Sequence, residues 1–372
     1  MKNVLVIFGG RSVEHDISII TGLGALNNTS GLYNVIGVYI DKNGQWWTGR
    51  RLREVGTFQP FDKTKLCKCT LMPSKNYLIE YHRFSCKNIP IYCAINCLHG
   101  HNGEDGAIAG LLQLCNIPHT SASVLSSAVC MDKTMTKQLL SHNKIKTVDY
   151  VMFDKREYQN NKATLLSKIQ KKLGYPCIVK PNSLGSSIGV NVAINEQDCE
   201  EYIQTCFSFD DRVLIEKYLT QNRELNIAVM QDKDKITTSN IEEVCLDNHV
   251  FNFNDKYQDK STKRQVPADI AQDLEEQIVK TATNAYKILR CSGVVRIDFL
   301  YSDNTLYLNE VNTIPGSLGC YLWKDPKITY KTLLDKLIQN AISKQQKCLD
   351  KKYSFDSNVL NNLTQDNFIL SK

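Results

Sequence analysis

The sequence predicts a chain of mixed class, an α/β unit at the N-terminus followed by α+β units. Two stretches predict it. Residues 3–8, Asn-Val-Leu-Val-Ile-Phe, form an apolar run that ends in Gly9-Gly10 and gives way to a helical pattern from about Ser18. Strand, glycine turn and helix are the opening of a Rossmann-like unit. Residues 294–301 and 305–311 are apolar and β-branched runs around Ser302, Asp303 and Asn304, the pattern of an antiparallel hairpin. A length of 372 residues leaves room for more than one domain with a sizeable core.

Composition narrows the function classes. Hydrophobic residues at 42% and charged residues at 23% fit a folded globular protein and argue against disorder. The net charge of +6 is spread along the chain. It favours anions such as nucleotides, and no long basic run argues for nucleic acid. No apolar run approaches a membrane span, and the opening residues enter a strand without a signal-peptide pattern. The expectation is a cytoplasmic protein with neither membrane nor nucleic acid as partner. The 14 cysteines are scattered, without paired C-x-x-C spacing, and read as buried free thiols.

In chain order, Glu14-His15-Asp16 follows the first turn. Asp16 is expected to cap the helix, while Glu14 is freer to meet a ligand amine. Strands over 35–40 and 91–98 continue the sheet, separated by a less regular segment containing Trp46 and Trp47. The second of these ends in Leu98-His99-Gly100-His101-Asn102-Gly103-Glu104-Asp105-Gly106. Ligands of open α/β sheets lie beyond the carboxyl ends of strands, so this loop and the Glu14 loop should flank one crevice. His99 is there either to orient Glu14 or to serve the structure. Glu104 and Asp105 read as caps of a helix over 108–114.

Small residues from Ser121 to Ala128, then Met131-Asp132-Lys133, mark a domain junction. A helix over 161–173 stops at Gly174-Tyr175-Pro176, and a strand ending in Lys180 leads into the loop Pro181-Asn-Ser-Leu-Gly185-Ser186-Ser187-Ile-Gly189-Val190. Small residues let backbone N–H groups approach phosphate oxygens, the hydroxyls add donors, and Lys180 adds charge. The lysine precedes the glycines, so this is not a Walker A loop; a plain hairpin turn is the alternative. A strand over 213–219 can present Glu216, Lys217 and Leu219 to an adenine. Its expected partner strand, 224–230, leaves Glu224 for a ribose hydroxyl. Residues 246–266 lack periodicity and read as a lid. A helix is expected from Pro267-Ala268-Asp269 to Leu289, and another over 330–345.

Period two decides the chemistry of the hairpin. Arg296 and Asp298 share one face of its first strand, Glu310 and Asn312 one face of its second, so four polar groups converge across the ladder. Oxygens from Asp298, Glu310 and Asn312 suit Mg²⁺, which takes few protein oxygens plus substrate phosphates. Arg296 is left to face developing negative charge. The alternative is a solvated hairpin face.

Taken in order, Gly9-Gly10 with Glu14, His99-Gly100 with Glu104-Asp105-Gly106, Met131-Asp132-Lys133, Val179-Lys180-Pro181 with Gly185-Ser186-Ser187, Ile215-Glu216-Lys217, Lys256-Tyr257, Arg296-Ile-Asp298 and Asn309-Glu310-Val-Asn312-Thr-Ile-Pro-Gly316 resemble the D-alanine:D-alanine ligases of the ATP-grasp superfamily. The resemblance covers about residues 1–345. It implies an ATP-grasp fold with a Rossmann-like domain over 1–121, a small central α+β domain over 122–215, and a C-terminal domain over 216–345 with an antiparallel sheet and a lid near 246–266. Residues 346–372 form a tail of no assigned role.

The same resemblance implies ATP as co-substrate, held by Lys133, Lys180, Ser186, Ser187, Glu216, Lys217, Leu219, Glu224 and Lys256. Two Mg²⁺ ions, or Mn²⁺, would sit on Asp298, Glu310 and Asn312. Glu14, linked through Ser186 and Tyr257 to the lid, would meet the first D-alanine near His99. Arg296 and Gly316 would face the oxyanion, and Tyr321 and Leu322 the second substrate. A homodimer and a role in peptidoglycan precursor synthesis are implied too. The chain departs from the family pattern at Ser317-Leu-Gly-Cys-Tyr-Leu-Trp323, and at Arg264, where an aromatic residue or histidine is usual. A related ligase with D-lactate, D-serine or another amino acid as acceptor is therefore the alternative. A nucleotide-binding homologue without turnover fits less well, because a mere binder has no use for Lys256, Arg296 and three metal ligands together.

Overall fold

The computed structural model describes residues 1–29, 31–245, 263–325 and 327–362. Three sheets carry the fold. The first has seven strands in the order β6-β5-β4-β3-β2-β1-β7: β1 Lys2–Gly9, β2 Tyr33–Ile40, β3 Trp46–Thr48, β4 Cys67–Leu71, β5 Tyr77–Tyr81, β6 Cys86–Pro90 and β7 Cys93–Asn96. Its parallel centre, β2-β1-β7, is the expected Rossmann-like opening. Helix α1, His15–Asn28, packs Ala25 and Leu26 on one face, and α2, Ala107–Leu114, packs Ile108 and Leu112 on the other.

Strands β3 to β6 correct the irregular reading of residues 41–90. They form an antiparallel extension, and the sequence hid it because the strands are short and half exposed. Their apolar residues therefore make no run.

Helices α3, Val124–Met131, and α4, Lys133–His142, lead to the second sheet, ordered β10-β9-β11-β8. Its strands are β8 Tyr150–Asp154, β9 Cys177–Pro181, β10 Asn191–Ala193 and β11 Arg212–Lys217, covered by α5, Lys155–Lys172, and α6, Glu196–Cys206. Helix α5 starts six residues before the expected 161. Asp154 caps it by accepting from Glu157 N at 2.7 Å, and the backbone departs from helix at Asn161, where φ is −134°. That kink explains why the periodicity becomes regular only beyond it.

The third sheet runs β14-β13-β12-β15-β16, with β12 Arg223–Asp232, β13 Lys235–Cys245, β14 Lys263–Gln265, β15 Val294–Ser302 and β16 Thr305–Asn312. The expected pairing of 213–219 with 224–230 is corrected: β11 bonds β8 and β9, whereas β12 bonds β13 and β15. The chain passes from one sheet to the next over Tyr218–Asn222. Helix α7, Gln272–Ile288, covers the third sheet with Leu274, Ile278, Ala282 and Ala285. It begins later than Pro267 because Ala268 N bonds Ile241 O at 2.8 Å, which ties the segment to β13 instead of a first helical turn. Helix α8, Tyr330–Leu349, buries Leu333, Leu334, Leu337 and Ile338 in a core shared by β1, β12 and β15. No described helix is long and apolar enough to cross a membrane.

Gly293 sets the entry to β15. Its φ is +71°, and a Cβ there would lie 2.1 Å from Thr120 O. Gly293→Ala is expected to destabilise the protein by more than the about 1–2 kcal/mol that left-handed backbone alone costs an L-residue, measured as a lowered midpoint in urea unfolding.

Candidate active site

The hairpin β15–β16 closes through Asp303 and Asn304, both at positive φ, the geometry that a two-residue turn requires. Arg296 lies opposite Asn312 and Asp298 opposite Glu310. The register then slips: Phe299 faces Leu308, so Asn309 is an extra residue, a bulge of the kind that re-aims a neighbouring side chain. The alternate residues Val295, Ile297, Phe299 and Val311 bury against α7. That burial fixes which face carries the polar set.

Arg296 gives Nε and Nη2 to the two oxygens of Asp298 at 2.6 and 2.7 Å, and Asn312 Nδ2 donates to Asp298 at 2.9 Å. Glu310 lies 3.7 Å from Lys133 Nζ. Lys133, at the start of α4, also donates to Leu184 O of the Gly/Ser loop. Burial pulls the Lys133 ammonium down from its ordinary range, and Glu310 opposes that pull.

Behind the loop, Glu216 of β11 holds Lys137 of α4 and Lys180 of β9, each at 2.6 Å and on a different oxygen. Glu216 and Lys137 are almost fully buried and Lys180 nearly so. Burial acts to raise the Glu216 carboxyl, but Lys137 and Lys180 outweigh it and hold it down to about 2. The Glu216 side chain thus points at lysines, which leaves its backbone for the expected adenine contact. Lys217 is exposed, while Leu219 and Glu224 are half buried.

Glu14 precedes α1 and is buried. Ser186 donates to its Oε1. Two glycines make this approach possible: a Cβ at Gly100 would lie 2.6 Å from Glu14 Oε2, and one at Gly185 3.0 Å from it. Ser186 and Ser187 both take positive φ, which turns the loop toward this point. Asp16, expected as a cap, is instead exposed and lies 3.7 Å from Lys42.

His99 does not orient Glu14. Its Nε2 lies 2.8 Å from Thr21 Oγ1, and its other contact is the Ile314 backbone. Glu104 is corrected as well. Asp105 does the capping, accepting from Asn102 N and Ala107 N, whereas Glu104 accepts from Gly100 N at 3.1 Å and Ile314 N at 3.0 Å. Burial, and then the Glu14 charge, push the Glu104 carboxyl well above the usual range. With Ser317 N donating to Thr21 Oγ1 at 3.1 Å, the first sheet grips the segment 314–317 from three side chains.

A cavity of about 260 Å³ lies between these elements, lined by Glu14, His99, Ser186, Arg296, Gly316 and Tyr321 among others. A narrower one, lined by Lys133, Gly185 and Glu310, shares Glu104 and Asn312 with it. The structure therefore brings the expected amine, oxyanion and phosphate residues to adjoining spaces. Leu322 is not among them; it is fully buried in the core with Leu333 and Leu337. Lys256 and Tyr257 lie outside the described residues. Lys137, Glu104, Thr21 and Glu242 were not singled out as site residues. Only Lys137 carries a local signal, its i,i+4 spacing from Lys133.

Solved structures share this fold. The D-alanine–D-alanine ligase from Coxiella burnetii matches with a TM-score of 0.80 and 27% identity, over 94% of this chain and 96% of its own. The VanG D-Ala:D-Ser ligase from Enterococcus faecalis also matches at 0.80, with 30% identity over 91% of this chain and 99% of its own. The fold is that of the ATP-grasp ligases. The family models described as D-ala D-ala ligase N-terminus and C-terminus match residues 3–122 and 139–339. A D-alanine–D-alanine ligase of Thermosipho melanesiensis is 39% identical over 368 residues, 97% of this chain and 98% of the relative. The chain belongs to the D-alanine–D-alanine ligase family.

His99 yields a pH prediction. Burial, and then Arg296, lower its pKa to about 4 from 6.5. The folded state thus binds its proton later than the unfolded chain, and stability is lost as pH falls from 6.5 through 4. His119, also lowered to about 4 by burial and Lys344, contributes over the same window. Calorimetric Tm is expected to fall between pH 6.5 and 4, with a shallower fall in His99→Gln, which keeps the His119 share.

Proposed function

We propose that this chain joins two D-alanines into D-alanyl-D-alanine at the expense of ATP, through an acyl phosphate, to supply the dipeptide for peptidoglycan precursors. The observation that carries it is the adjoining pair of cavities, with Glu14 and Ser186 beside one and Lys133 and Glu310 beside the other, joined at Glu104 and Asn312.

The chemistry follows from the weakness of a carboxylate as an electrophile. An oxygen of the first D-alanine's carboxylate bonds the γ-phosphorus as the bond to the β-phosphate oxygen breaks, and ADP leaves. The ammonium of the second D-alanine gives up one proton to solvent, the resulting amine bonds the acyl carbon, phosphate departs, and the nitrogen loses its second proton to solvent. Glu14 holds the first ammonium, and the Ser186 hydroxyl fixes the carboxylate that does so. Lys133 and Lys180 receive the phosphates, with Ser187 in the same loop, and the Glu216–Leu219 backbone and Glu224 receive adenine and ribose. Arg296 and Gly316 N face the oxygen on which charge grows when the amine adds.

Magnesium fits the donor set. This ion takes few protein oxygens and completes its shell with phosphate and water. Asp298 and Glu310 face each other across the ladder with Asn312 at 2.9 Å from Asp298. These three would hold it, and the ion would supply charge to the triphosphate. A homodimer, which the resemblance implies, and the cytoplasmic setting expected from the sequence belong to this proposal.

A second reading has D-serine as acceptor. It is favoured by the departure of Ser317–Trp323 from the family pattern and by the equal likeness to a D-Ala:D-Ser ligase.

With ATP, Mg²⁺ and D-alanine, phosphate release is expected to match dipeptide formation by mass spectrometry one for one. Phosphate that appears only on adding D-serine or D-lactate would move the assignment to the second reading, and none with any D-amino acid would overturn the ligase. Lys180→Met is expected to lower kcat/KM for ATP by about 100-fold or more, read at saturating D-alanine.

A further inference from the structure

The geometry points to Arg264, steered by the buried carboxylate of Glu242, as the group that holds the carboxylate of the second substrate. This deepens the ligase reading and rests on it.

Two guanidiniums line the main cavity, Arg264 and Arg296, and they are not equivalent. Arg296 commits its Nε–Nη2 edge to the two oxygens of Asp298, at 2.6 and 2.7 Å, and its side chain is only 12% exposed. A carboxylate arriving there must compete with Asp298. Arg264 makes one ion pair among the described residues, Nη1 to Glu242 Oε1 at 3.3 Å, with its side chain 36% exposed. Most of its five donors are left for a planar carboxylate.

Glu242 explains why Arg264 is aimed at the cavity. It sits on β13 with no exposed surface, a costly place for a carboxylate without partners. Its Oε1 meets Arg264, and its Oε2 accepts from Asn226 Nδ2 at 3.3 Å and Tyr321 Oη at 3.4 Å. One buried anion thus contacts both places where the chain departs from the family pattern, Arg264 and, through Tyr321, the segment Ser317–Trp323. Arg264 itself stands on the short edge strand β14, opposite Val244, and a cation on such an edge is ordinarily free to swing into solvent. Here it is tethered.

The chemistry of the acceptor requires such a cation. The first D-alanine's carboxylate is consumed as the electrophile, whereas the second keeps its own through the reaction. Glu14 places a carboxylate on one wall of the cavity, and Arg264 and Arg296 supply its positive groups. A carboxylate docked on Arg264 leaves the acceptor amine unheld and free to attack.

The test fits initial rates against D-alanine concentration to separate constants for the two substrate sites. Arg264→Met is expected to raise the second-site KM by about 30-fold or more and the first-site KM by less than about 3-fold, with Arg264→Lys recovering part of the loss. D-alaninamide, offered as acceptor after D-alanine, should lose its disadvantage against D-alanine in Arg264→Met, a change that loosened structure alone does not produce. Glu242→Gln should shift the second-site KM in the same direction by less. An unmoved second-site KM, or both constants rising together with the amide preference intact, overturns the assignment. If Arg264→Met does not fold, as judged by its Tm, the same criteria apply to Arg264→Lys. A wild-type protein that makes no dipeptide overturns the ligase reading first, and this inference with it.

Discussion

The rest of the nucleotide side depends on one buried carboxylate. Glu216 occupies both oxygens with ammonium groups, Lys137 on one and Lys180 on the other, each at 2.6 Å. None of the three could be buried alone, because an unpaired charge in a protein interior is expelled or neutralised. Together they lock three elements: Glu216 on β11, Lys180 on the adjoining β9, and Lys137 on α4. Two positive charges against one negative leave the cluster at +1. That surplus sits directly behind the Gly/Ser loop, so an anion at the loop completes the charge balance. Asn182 extends the lock, accepting from Thr134 N at 3.0 Å and Thr134 Oγ1 at 2.7 Å, which holds the start of α4 and Lys133 against the same loop.

On the substrate side the constraint is strain held in place. Ser317, Leu318 and Gly319 all take left-handed backbone, with φ of 49°, 52° and 65°. For Ser317 and Leu318 that conformation costs about 1–2 kcal/mol each, so neighbours must impose it. They do so from the first sheet: Thr21 accepts from Ser317 N, His99 contacts the Ile314 backbone, and Glu104 accepts from Ile314 N. Leu318 and Leu322 add burial beneath. The N-terminal unit therefore shapes a segment contributed by the C-terminal one, and burial favours the neutral form of the His99 ring that links Thr21 to Ile314.

What the sequence disclosed follows from which signals are local. The hairpin and the two polar pairs, Arg296 with Asp298 and Glu310 with Asn312, each on one face of its strand, were legible because period two and the turn-forming Ser302-Asp303-Asn304 are written in consecutive residues. The slip at Asn309 was not, since no residue type announces that bulge. Gly185 and Gly100 were visible as loop glycines, but their reason, room for the Glu14 carboxylate, lies in a residue 171 and 86 positions away. Lys137 and Glu242 were missed for one physical cause. A charged side chain in a helix or strand looks the same whether water or a counter-ion satisfies it, and only the fold supplies the counter-ion. Glu104 shows the converse: its position before a helix offered a sufficient local role as a cap, and Asp105 took that role instead.

The two ends of the cavity have different logic because the reaction treats its two amino acids differently. Both arrive as zwitterions. The first must be gripped by its ammonium, since its carboxylate has to stand free beside the phosphates; in the proposed reading Glu14, fixed by Ser186, does this. The second must be gripped the other way round, since an ammonium held by a carboxylate cannot become the attacking amine. Identical substrates thus require opposite handles, negative for the first and positive for the second. The carboxylate of Glu14 comes from a loop of the first sheet, and the guanidiniums Arg264 and Arg296 from strands of the third. The polarity of the cavity is therefore set by which sheet supplies each wall. Substitutions on β14 and in the segment after Gly316 can retune the acceptor without disturbing the donor's grip, and it is in these segments that this chain departs from its family.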